Sequence, residues 1–212
     1  MKTTKLYLIR HGESQGNQRD AFLGHTDLDL TDTGRTQALK TAEYLKQFPI
    51  SAIYSSDLLR AYHTAQATSA LMNIPIIKEE RLREIFCGAW EDQPFSLLLE
   101  KYPKSYGAWI NDIDNAHPDD GESTLELQAR VIEALQEIAE NNVGKTVAIF
   151  THATPIRCFA AYCKGREKIK NVPWASNASV TEVEYKNSEF RLVAYSQDDF
   201  LGNLVTVLPE NT

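Results

Sequence analysis

Long apolar runs are missing from this sequence. The run nearest the N-terminus, Leu6 to Ile9, is too short for the hydrophobic region of a signal peptide, and no stretch approaches the length of a membrane span. Low-complexity segments and internal repeats are missing as well. With 42% hydrophobic and 24% charged residues in 212 positions, the chain has the composition of an ordinary globular protein. We expect one soluble, cytoplasmic domain over residues 1–212, with no membrane partner.

Positive charge is also in short supply. The sequence has 22 Lys and Arg residues against 29 Asp and Glu residues, which gives a net charge of −7. No cluster of basic residues is dense enough for a nucleic-acid footprint, so we predict no nucleic-acid partner. Any anion that this chain binds must be held by a few local cations.

Cysteines and metal-binding motifs are sparse too. The three cysteines are Cys87, Cys158 and Cys163. This odd set without a CxxC pair cannot close fully into disulfides within the chain, which predicts reduced thiols. Three of the histidines, His25, His63 and His117, lack a partner at HxH or HxxxH spacing. We therefore predict no metal site at these histidines.

Strand-like and helical patterns alternate along the chain. Strand-like runs cover residues 5–9, 52–54, 74–77 and 146–150, and helical patterns cover about 34–48, 58–72 and 124–141. The last helix is preceded by Ser123, which has capping-box spacing to Glu126. This alternation predicts an α/β fold, namely a three-layer α/β/α sandwich around a mostly parallel central sheet.

Two segments depart from the alternation. Residues 179–196 read as two alternating strands around a Lys-Asn-Ser-Glu turn, which predicts an antiparallel hairpin at one sheet edge. Such an edge could serve a homodimer, although the sequence leaves the oligomeric state open. Residues 88–120 are rich in aromatics and proline, which favours a small helical insertion or lid over the active site. We hypothesise that one or two of its aromatics wall the substrate pocket, among Trp90, Phe95 and Trp109.

Two histidines stand at the ends of predicted strands. His11 follows the run LYLIR, and His152 follows VAIFT. Ligands of open α/β sheets bind in the crevice outside the carboxyl ends of the strands. Because parallel strands that are distant in sequence can lie side by side, we expect the two imidazoles to face one pocket.

Two arginines accompany these histidines. Arg10 precedes His11, and Arg60 falls in the first turn of a predicted helix for which Asp57 is the expected N-cap. A helix N-terminus offers unpaired N–H groups and a partial positive charge. Two guanidiniums, two imidazoles and this helix end make a local anion trap in an acidic protein. The expected ligand is a phosphoryl group.

Chemistry on a phosphate ester requires a nucleophile and an acid for the leaving oxygen. His11 is the candidate nucleophile, provided that its other ring nitrogen donates to a backbone carbonyl such as that of Gly12. Glu84, beyond the run 74–77, is the candidate acid, because a nearby phosphate dianion favours the protonated carboxyl. Carboxyls that lie close to Glu84 in sequence leave this choice open: Glu79, Glu80, Glu91 and Asp92.

Five blocks of the sequence resemble one known family, in order and over nearly the whole chain. They are LIRHGES with Asn17, SSDLLRAYHTA, LREIFCGAWED, DDGES and THATPIR. On these motifs the chain is similar to the histidine phosphatase superfamily, in its phosphoglycerate-mutase-like branch and of the broad-specificity phosphatase type. The resemblance implies a metal-free reaction through a phosphohistidine, with no cofactor.

The resemblance also implies roles for individual residues. His11 would be the nucleophile, and Glu84 would donate a proton and later activate water. His152, Arg10 and Arg60 would stabilise the transferring phosphoryl group. Three further residues are carried over as substrate-binding: Asn17 after the nucleophile, Gly24 in the loop AFLGHTDLDLTDTG, and Ala153, which stands where the family usually has glycine.

Departures from the mutase pattern bear on the activity. Leu23 stands where a mutase has a threonine that contacts its substrate, and the segment after Glu84 lacks the basic, tyrosine-bearing stretch of the mutases. These departures favour a phosphatase acting on a small-molecule phosphate monoester. Two alternatives stay open, a phosphoglycerate mutase that returns the phosphoryl group to its substrate, and a non-catalytic phospho-ligand binding module. The natural substrate is open as well.

Overall fold

A six-stranded sheet forms the centre of the structure, which is a computed structural model that describes residues 2–19, 21–165 and 168–207. The strands are β1 (Thr4–Arg10), β2 (Ala21–Phe22), β3 (Ile50–Ser55), β4 (Ile76–Lys78), β5 (Gln93–Pro94), β6 (Thr146–Thr151), β7 (Val180–Lys186) and β8 (Glu189–Gln197). The helices are α1 (Gln15–Gln18), α2 (Asp32–Leu45), α3 (Leu59–Met72), α4 (Phe95–Lys101), α5 (Ser105–Asn111), α6 (Thr124–Asn141) and α7 (Ala153–Cys163).

The order of strands in the central sheet is β4-β3-β6-β1-β7-β8. The pairs β4/β3, β3/β6 and β6/β1 are parallel, whereas β7 runs antiparallel to both β1 and β8. The predicted α/β fold with a mostly parallel sheet and an edge hairpin is therefore confirmed. At the hairpin turn, Asn187 and Ser188 both have positive φ, at 54° and 63°, as the central residues of a type I′ turn do.

Helices cover both faces of the sheet. On one face, Leu6, Leu8 and Val147 pack in a core that includes residues of α6 and α7. On the other face, Tyr7 and Phe150 join a second core with residues of α2 and α3. Because β1 and β6 are covered on both sides, their sequences are continuously apolar rather than alternating.

One helix begins at the cap that the sequence predicts, and another does not. Helix α6 covers the predicted residues 124–141, and its capping box between Ser123 and Glu126 is formed. The prediction that Asp57 caps α3 is wrong. The N-cap is Leu58, which makes no side-chain cap. The Asp57 carboxylate instead accepts from Arg83, with Nε 2.7 Å from Oδ1, and this charge-assisted pair takes the oxygen that a cap would need.

The segment 88–120 contains short helices, as its composition indicated. Helices α4 and α5 lie between 3₁₀ turns at 88–90 and 113–115, and β5 pairs with β2 in a small separate sheet. The ring of Phe22 in β2 packs edge-on against Trp90 and Trp109, which fixes the segment to the loop after β1. Of the described helices, none combines the length and apolar character needed to cross a membrane.

Candidate active site

The two histidines at the strand ends lie side by side. Strands β1 and β6 pair in register, with Arg10 opposite Thr151, so His11 and His152 leave the sheet at the same level. Their ring centroids are 5.2 Å apart, and the rings are inclined by 60°. The structure therefore brings together the two imidazoles that the sequence pattern placed at one edge of the sheet.

His11 is held by hydrogen bonds on one side only. Its Nδ1 lies 2.7 Å from the carbonyl oxygen of Gly12, so Nδ1 carries the proton and Nε2 keeps its lone pair. Among the described residues, none hydrogen-bonds to Nε2. Burial first, then the charges of Arg60 and Arg10, lower the pKa of His11 well below its ordinary value. The ring is therefore neutral and accessible at Nε2 near neutral pH.

The tight loop after β1 requires glycine beside this histidine. A Cβ on Gly12 would lie 2.5 Å from the carbonyl oxygen of Gly34, in the first turn of α2. The backbone N–H of Gly12 donates to the Thr64 hydroxyl at 3.0 Å. The carbonyl that orients His11 is thus fixed by contacts with α2 and α3.

Two buried guanidiniums flank the imidazoles. Arg10 and Arg60 are each only 1% exposed. Arg10 donates from Nη1 to the Ala175 carbonyl at 2.5 Å, and Arg60 donates to the carbonyls of Gly24 at 2.8 Å and Thr26 at 3.0 Å. Burial lowers the pKa of Arg10 to about 10 and also lowers the pKa of Arg60, but Arg10 stays cationic at neutral pH.

These two cations are held without direct ion pairs. Within the described residues, the partners of both guanidiniums are neutral carbonyls, and neither makes a salt bridge. The Nε of Arg10 is buried, with no hydrogen-bond partner in the described part of the chain. Buried charges without a counter-ion are costly. The arrangement therefore favours the binding of an anion between them.

His152 is fully buried and bound from one side. Its Nε2 lies 2.8 Å from the hydroxyl of Ser56. Its Nδ1 is buried without a partner among the described residues. Burial, followed by the charges of Arg60 and other neighbours, lowers the pKa of His152 well below its ordinary value. In the tautomer whose Nε2 accepts from Ser56, Nδ1 carries the ring proton. His152 itself is not among the described residues that line the pocket.

Helix α7 starts directly after His152 and adds its N-terminus to the site. Ala153 is the first residue of the helix and lines the pocket, and Pro155 occupies the first turn, where its missing N–H costs nothing. The backbone N–H of Thr154 donates to Glu84 Oε2 at 3.3 Å. This helix end, rather than the start of α3 alone, supplies N–H groups beside the imidazoles.

Glu84 is the one acidic side chain among the described residues that line the pocket. It is buried, and its Oε1 accepts from the backbone N–H of Ile85 at 2.8 Å. The neighbouring carboxyls are committed elsewhere. Glu79 pairs with Arg81, and Glu91 accepts from the backbone N–H groups of residues 24–26. The structure thereby singles out Glu84 among the carboxyls that the sequence left open.

The remaining predicted residues lie in two different places. Asn17 lines the pocket, and its Oδ1 accepts from the N–H and the hydroxyl of Ser14 at 2.9 Å each. This pairing leaves Asn17 Nδ2 for a ligand. Gly24 lies behind Arg60 rather than in the pocket lining, with its carbonyl bound to that arginine. A Cβ there would lie 2.3 Å from a carboxylate oxygen of Glu91.

The walls of the pocket are mainly apolar. The pocket is open to solvent, and its space including the solvent at its mouth is about 500 Å³. Its apolar lining residues are Ala21, Phe22, Leu23, Phe95, Trp109, Ala153 and Trp174. Trp90, which the sequence also suggested as a wall residue, is instead fully buried in the core behind the pocket. Phe95 and Trp109 thus agree with the hypothesis of an aromatic wall, and Trp90 does not.

Comparison with known proteins decides the family. The model of the histidine phosphatase superfamily (branch 1) matches residues 6–198. The chain belongs to this superfamily. The match covers every catalytic candidate described above, and it confirms the family inferred from the sequence motifs. Histidine phosphatases are enzymes, and the predicted phosphoryl chemistry agrees with this membership.

Several known proteins are similar to this chain in sequence or fold. It is 35% identical over 159 residues to phosphoserine phosphatase 1 of Hydrogenobacter thermophilus, covering 75% of this chain and 74% of that protein. It is 34% identical to phosphoglycerate mutase-like protein 4 of Arabidopsis thaliana, covering 83% and 77%. The solved structure of YhfR from Bacillus stearothermophilus superposes with a TM-score of 0.89 and 30% identity, covering 93% of this chain and 99% of that one.

Sequence reasoning missed some pocket residues of this histidine phosphatase, and Trp174 is the largest. It lies in the segment between α7 and β7, and the guanidinium carbon of Arg157 stands 4.1 Å from its ring centroid. An aromatic beside Pro173 in a loop after the second histidine is the signal that was available. His63 lies outside the pocket lining, and its Nδ1 is 2.5 Å from Asp29 Oδ1.

Across residues 2–19, 21–165 and 168–207, no three His, Cys, Asp or Glu side chains cluster as a metal-binding group. The cysteines of the described chain are free thiols, and burial raises the pKa of Cys163 to about 12. Burial also raises the pKa values of Cys87 and Cys158, so the three thiols are protonated near neutral pH.

Proposed function

We propose that this enzyme is a phosphatase that hydrolyses small phosphate monoesters through a phosphohistidine on His11, without a metal ion. The observation that carries the proposal is the hydrogen bond between His11 Nδ1 and the Gly12 carbonyl at 2.7 Å. It presents a neutral imidazole with its Nε2 lone pair toward a pocket that contains two unpaired guanidiniums. A neutral nucleophile beside concentrated positive charge suits attack on a phosphate dianion.

In the first step, Nε2 of His11 attacks phosphorus, and the bond between phosphorus and the ester oxygen breaks. Glu84 donates its proton to the departing oxygen, which leaves as an alcohol. Arg10 and Arg60 neutralise the charge on the non-bridging oxygens, and His152 donates to them from Nδ1. The Gly12 carbonyl stabilises the positive ring of the phosphohistidine through Nδ1–H.

In the second step, water attacks the phosphorus of the phosphohistidine. The Glu84 carboxylate takes a proton from that water, the bond between Nε2 and phosphorus breaks, and inorganic phosphate is released. His11 returns to its neutral form. Asn17 Nδ2 and the backbone N–H of Ala153 supply further donors for the phosphate oxygens throughout both steps.

The apolar walls support a substrate class. Beyond the phosphate end, the pocket is bounded by Leu23, Phe95, Trp109 and Trp174. The cationic side chains of the described lining are Arg10 and Arg60, both at the phosphate end. Apolar and aromatic side chains bury ring and hydrocarbon surface favourably. We therefore propose esters whose alcohol portion is apolar or aromatic, in preference to those that carry a second anionic group.

A second candidate function is phosphoglycerate mutase activity, which the mutase-like relative favours. It differs in one step, since the phosphoryl group on His11 returns to a substrate hydroxyl instead of to water. A non-catalytic binding module is disfavoured by the complete set of nucleophile, acid and cations. The cytoplasmic location, the homodimer and the lack of nucleic-acid and membrane partners stay predictions from the sequence.

Phosphorus NMR of the purified protein in EDTA tests these alternatives. The substrate panel contains an aromatic phosphate, phosphoserine and both phosphoglycerates with a trace of the bisphosphate. Free phosphate, released fastest from the aromatic ester, is the expected result. Interconversion of the phosphoglycerates without free phosphate makes the protein a mutase. An unchanged spectrum overturns both activities and leaves a binding module, and His11→Ala serves as the inactive control.

A further inference from the structure

A single arginine on α6 holds the backbone that carries Glu84. Arg130 donates from Nη1 to the carbonyls of Arg81 at 2.7 Å and Arg83 at 2.9 Å, and from Nη2 to the carbonyl of Glu84 itself at 2.9 Å. Its guanidinium thus binds three of the four residues 81–84, which end at the proposed proton donor. These contacts lie outside the pocket lining, so Arg130 does not touch the substrate.

Glu122 completes this arrangement from the other side. Its carboxylate binds Arg130 in a fork, with Oε1 2.6 Å from Nε and Oε2 2.8 Å from Nη2. It also accepts from the backbone N–H of Phe86 at 3.2 Å, and its own N–H donates to the Phe86 carbonyl at 2.7 Å. The pair therefore grips the chain both before and after Glu84, and we call Arg130 and Glu122 the clamp.

The segment that carries Glu84 has no regular secondary structure. Residues 83–87 lie between the 3₁₀ turns at 80–82 and 88–90 and belong to no helix or strand. Other contacts also hold it. His25 Nε2 lies 3.0 Å from the Glu84 carbonyl, Arg83 pairs with Asp57, and Ile85 and Cys87 are buried in the core. Bidentate pairs between arginine and carboxylate are strong and directional. The clamp is the charged pair that reaches the backbone carbonyl of Glu84 itself.

We propose that Arg130 and Glu122 are positioning residues that hold the Glu84 carboxyl at the leaving oxygen of the substrate. This inference rests on the proposed function, in which Glu84 is the proton donor. A general acid works only within hydrogen-bond reach of the oxygen that it protonates. A small displacement of the segment would weaken proton donation while leaving the nucleophile and both phosphate-binding arginines in place.

The dependence of kcat/KM on the leaving group of the ester distinguishes this positioning role from a merely structural one. Departure of benzyl alcohol from benzyl phosphate needs a proton, whereas p-nitrophenolate is stable enough to leave without one. Both esters carry an aromatic ring of similar size, so they meet the same pocket walls. The ratio kcat/KM covers the steps up to the first irreversible one, which includes departure of the alcohol but not hydrolysis of the phosphohistidine.

The test compares Arg130→Met, Glu84→Gln and the control Arg81→Met on these two esters. Arg81 lies just before this segment, in the turn at 80–82, and its side chain pairs with Glu79 and Glu137 on the outer surface. For Arg130→Met we expect kcat/KM to fall about ten- to a hundredfold on benzyl phosphate and less than about threefold on p-nitrophenyl phosphate. Glu84→Gln should show the same selectivity more strongly, and Arg81→Met should leave both values unchanged.

The double variant Glu84→Gln/Arg130→Met gives a second readout. If Arg130 acts through Glu84, the double variant is no slower on benzyl phosphate than Glu84→Gln alone. An equal loss on both esters in Arg130→Met, or additive losses in the double variant, overturns the clamp. If Glu84→Gln itself shows no selectivity, Glu84 is not the acid and the proposed function fails instead.

Folding of the variants is checked by circular dichroism. Should Arg130→Met fail to fold, Glu122→Gln replaces it, because the amide keeps the shape of the side chain and removes half of the charged fork. The same preference for loss on benzyl phosphate is then expected. A uniform loss in folded Glu122→Gln contradicts the proposal as fully as it does in Arg130→Met.

Discussion

The Nδ1 atom of His11 lies 2.7 Å from the carbonyl oxygen of Gly12, its own neighbour in the chain. Because the two residues are adjacent, the local backbone conformation sets the tautomer of the ring. That conformation depends on close packing between the backbones of Gly12 and Gly34. The lone pair on Nε2 is thus set by the loop itself before any substrate binds. A residue with such a preset lone pair should form the covalent intermediate.

We predict that the phosphoenzyme forms on His11 alone. Labelled substrate mixed with enzyme and quenched in alkali should leave base-stable, acid-labile label on the wild type and none on His11→Ala. Activity of that variant should fall by at least about a thousandfold. The control is His63→Ala, since His63 binds Asp29 outside the pocket lining, and it should keep its label. Label that persists in His11→Ala would show another nucleophile.

We predict that Glu91 acts on catalysis through Arg60. The Glu91 carboxylate accepts from the N–H groups of His25 at 2.7 Å and Thr26 at 3.0 Å. Burial raises its pKa, but the hydrogen bonds outweigh this and leave the pKa below its usual range. The carbonyls of Gly24 and Thr26 in this loop hold the Arg60 guanidinium.

In Glu91→Gln the amide nitrogen cannot accept a hydrogen bond in place of the second carboxylate oxygen. The loop of residues 24–26 should therefore loosen, and with it the Arg60 side chain that the loop holds. We expect kcat/KM to fall by about tenfold on benzyl phosphate and p-nitrophenyl phosphate alike, since both present the same phosphate. Glu80→Gln is the matched control, because Glu80 is an exposed carboxylate. A loss of kcat/KM confined to benzyl phosphate would contradict this role, because it would show that Glu91 supports proton donation by Glu84 instead.

The parts of the site that the sequence predicts are those fixed by local order along the chain. His11 and His152 each follow a continuous apolar strand, so local sequence places each at a strand end. Helix α6 begins where predicted because its capping box is local. These features depend on residues within one turn or one strand of each other.

The parts that the sequence did not predict depend on partners far along the chain. Asp57 is a residue type that commonly caps helices, yet it pairs with Arg83. No local sequence pattern shows that this ion pair replaces the cap. Trp174 becomes a wall because Arg157 and the strand order bring its loop across the pocket. Gly24 resembled a substrate contact, but close packing against Glu91 explains the residue better.

We predict that the aromatic wall sets the ranking of substrates. Phe95→Ala, Trp109→Ala and Trp174→Ala should each lower the preference for benzyl phosphate over phosphoserine, because each removes apolar surface that contacts the alcohol portion. Competition assays that report the ratio of kcat/KM values measure this preference. The preference is independent of the amount of active enzyme, so partial unfolding does not imitate the effect.

Trp90→Ala provides the matched control for the wall. Trp90 is fully buried behind the pocket, so its loss should cost about 3–5 kcal/mol of unfolding free energy and leave the ranking unchanged. Urea unfolding and the same competition assay measure the two effects separately. An unaltered ranking in all three wall variants would refute the assignment of an apolar substrate class.

We predict that the buried histidines make the folded protein less stable in mild acid. Burial and the nearby guanidinium of Arg60 hold the pKa values of His11 and His152 well below normal. In the unfolded chain both would titrate near pH 6.5. Below that pH the unfolded state binds more protons than the folded state, so the free energy of unfolding falls as the pH falls.

Urea unfolding at pH 7.0 and pH 5.5 tests this sign and its source. Replacing His152 by glutamine should shrink the stability difference between the two pH values by about 1 kcal/mol, the contribution of one histidine that cannot protonate while folded. His117→Gln is the control, because His117 is exposed and its removal should leave the difference unchanged. Carboxylates titrate equally in both variants and cancel in the comparison. If wild type and His152→Gln lose the same stability on acidification, His152 is protonated in the folded protein, and it cannot have the neutral state that the site requires.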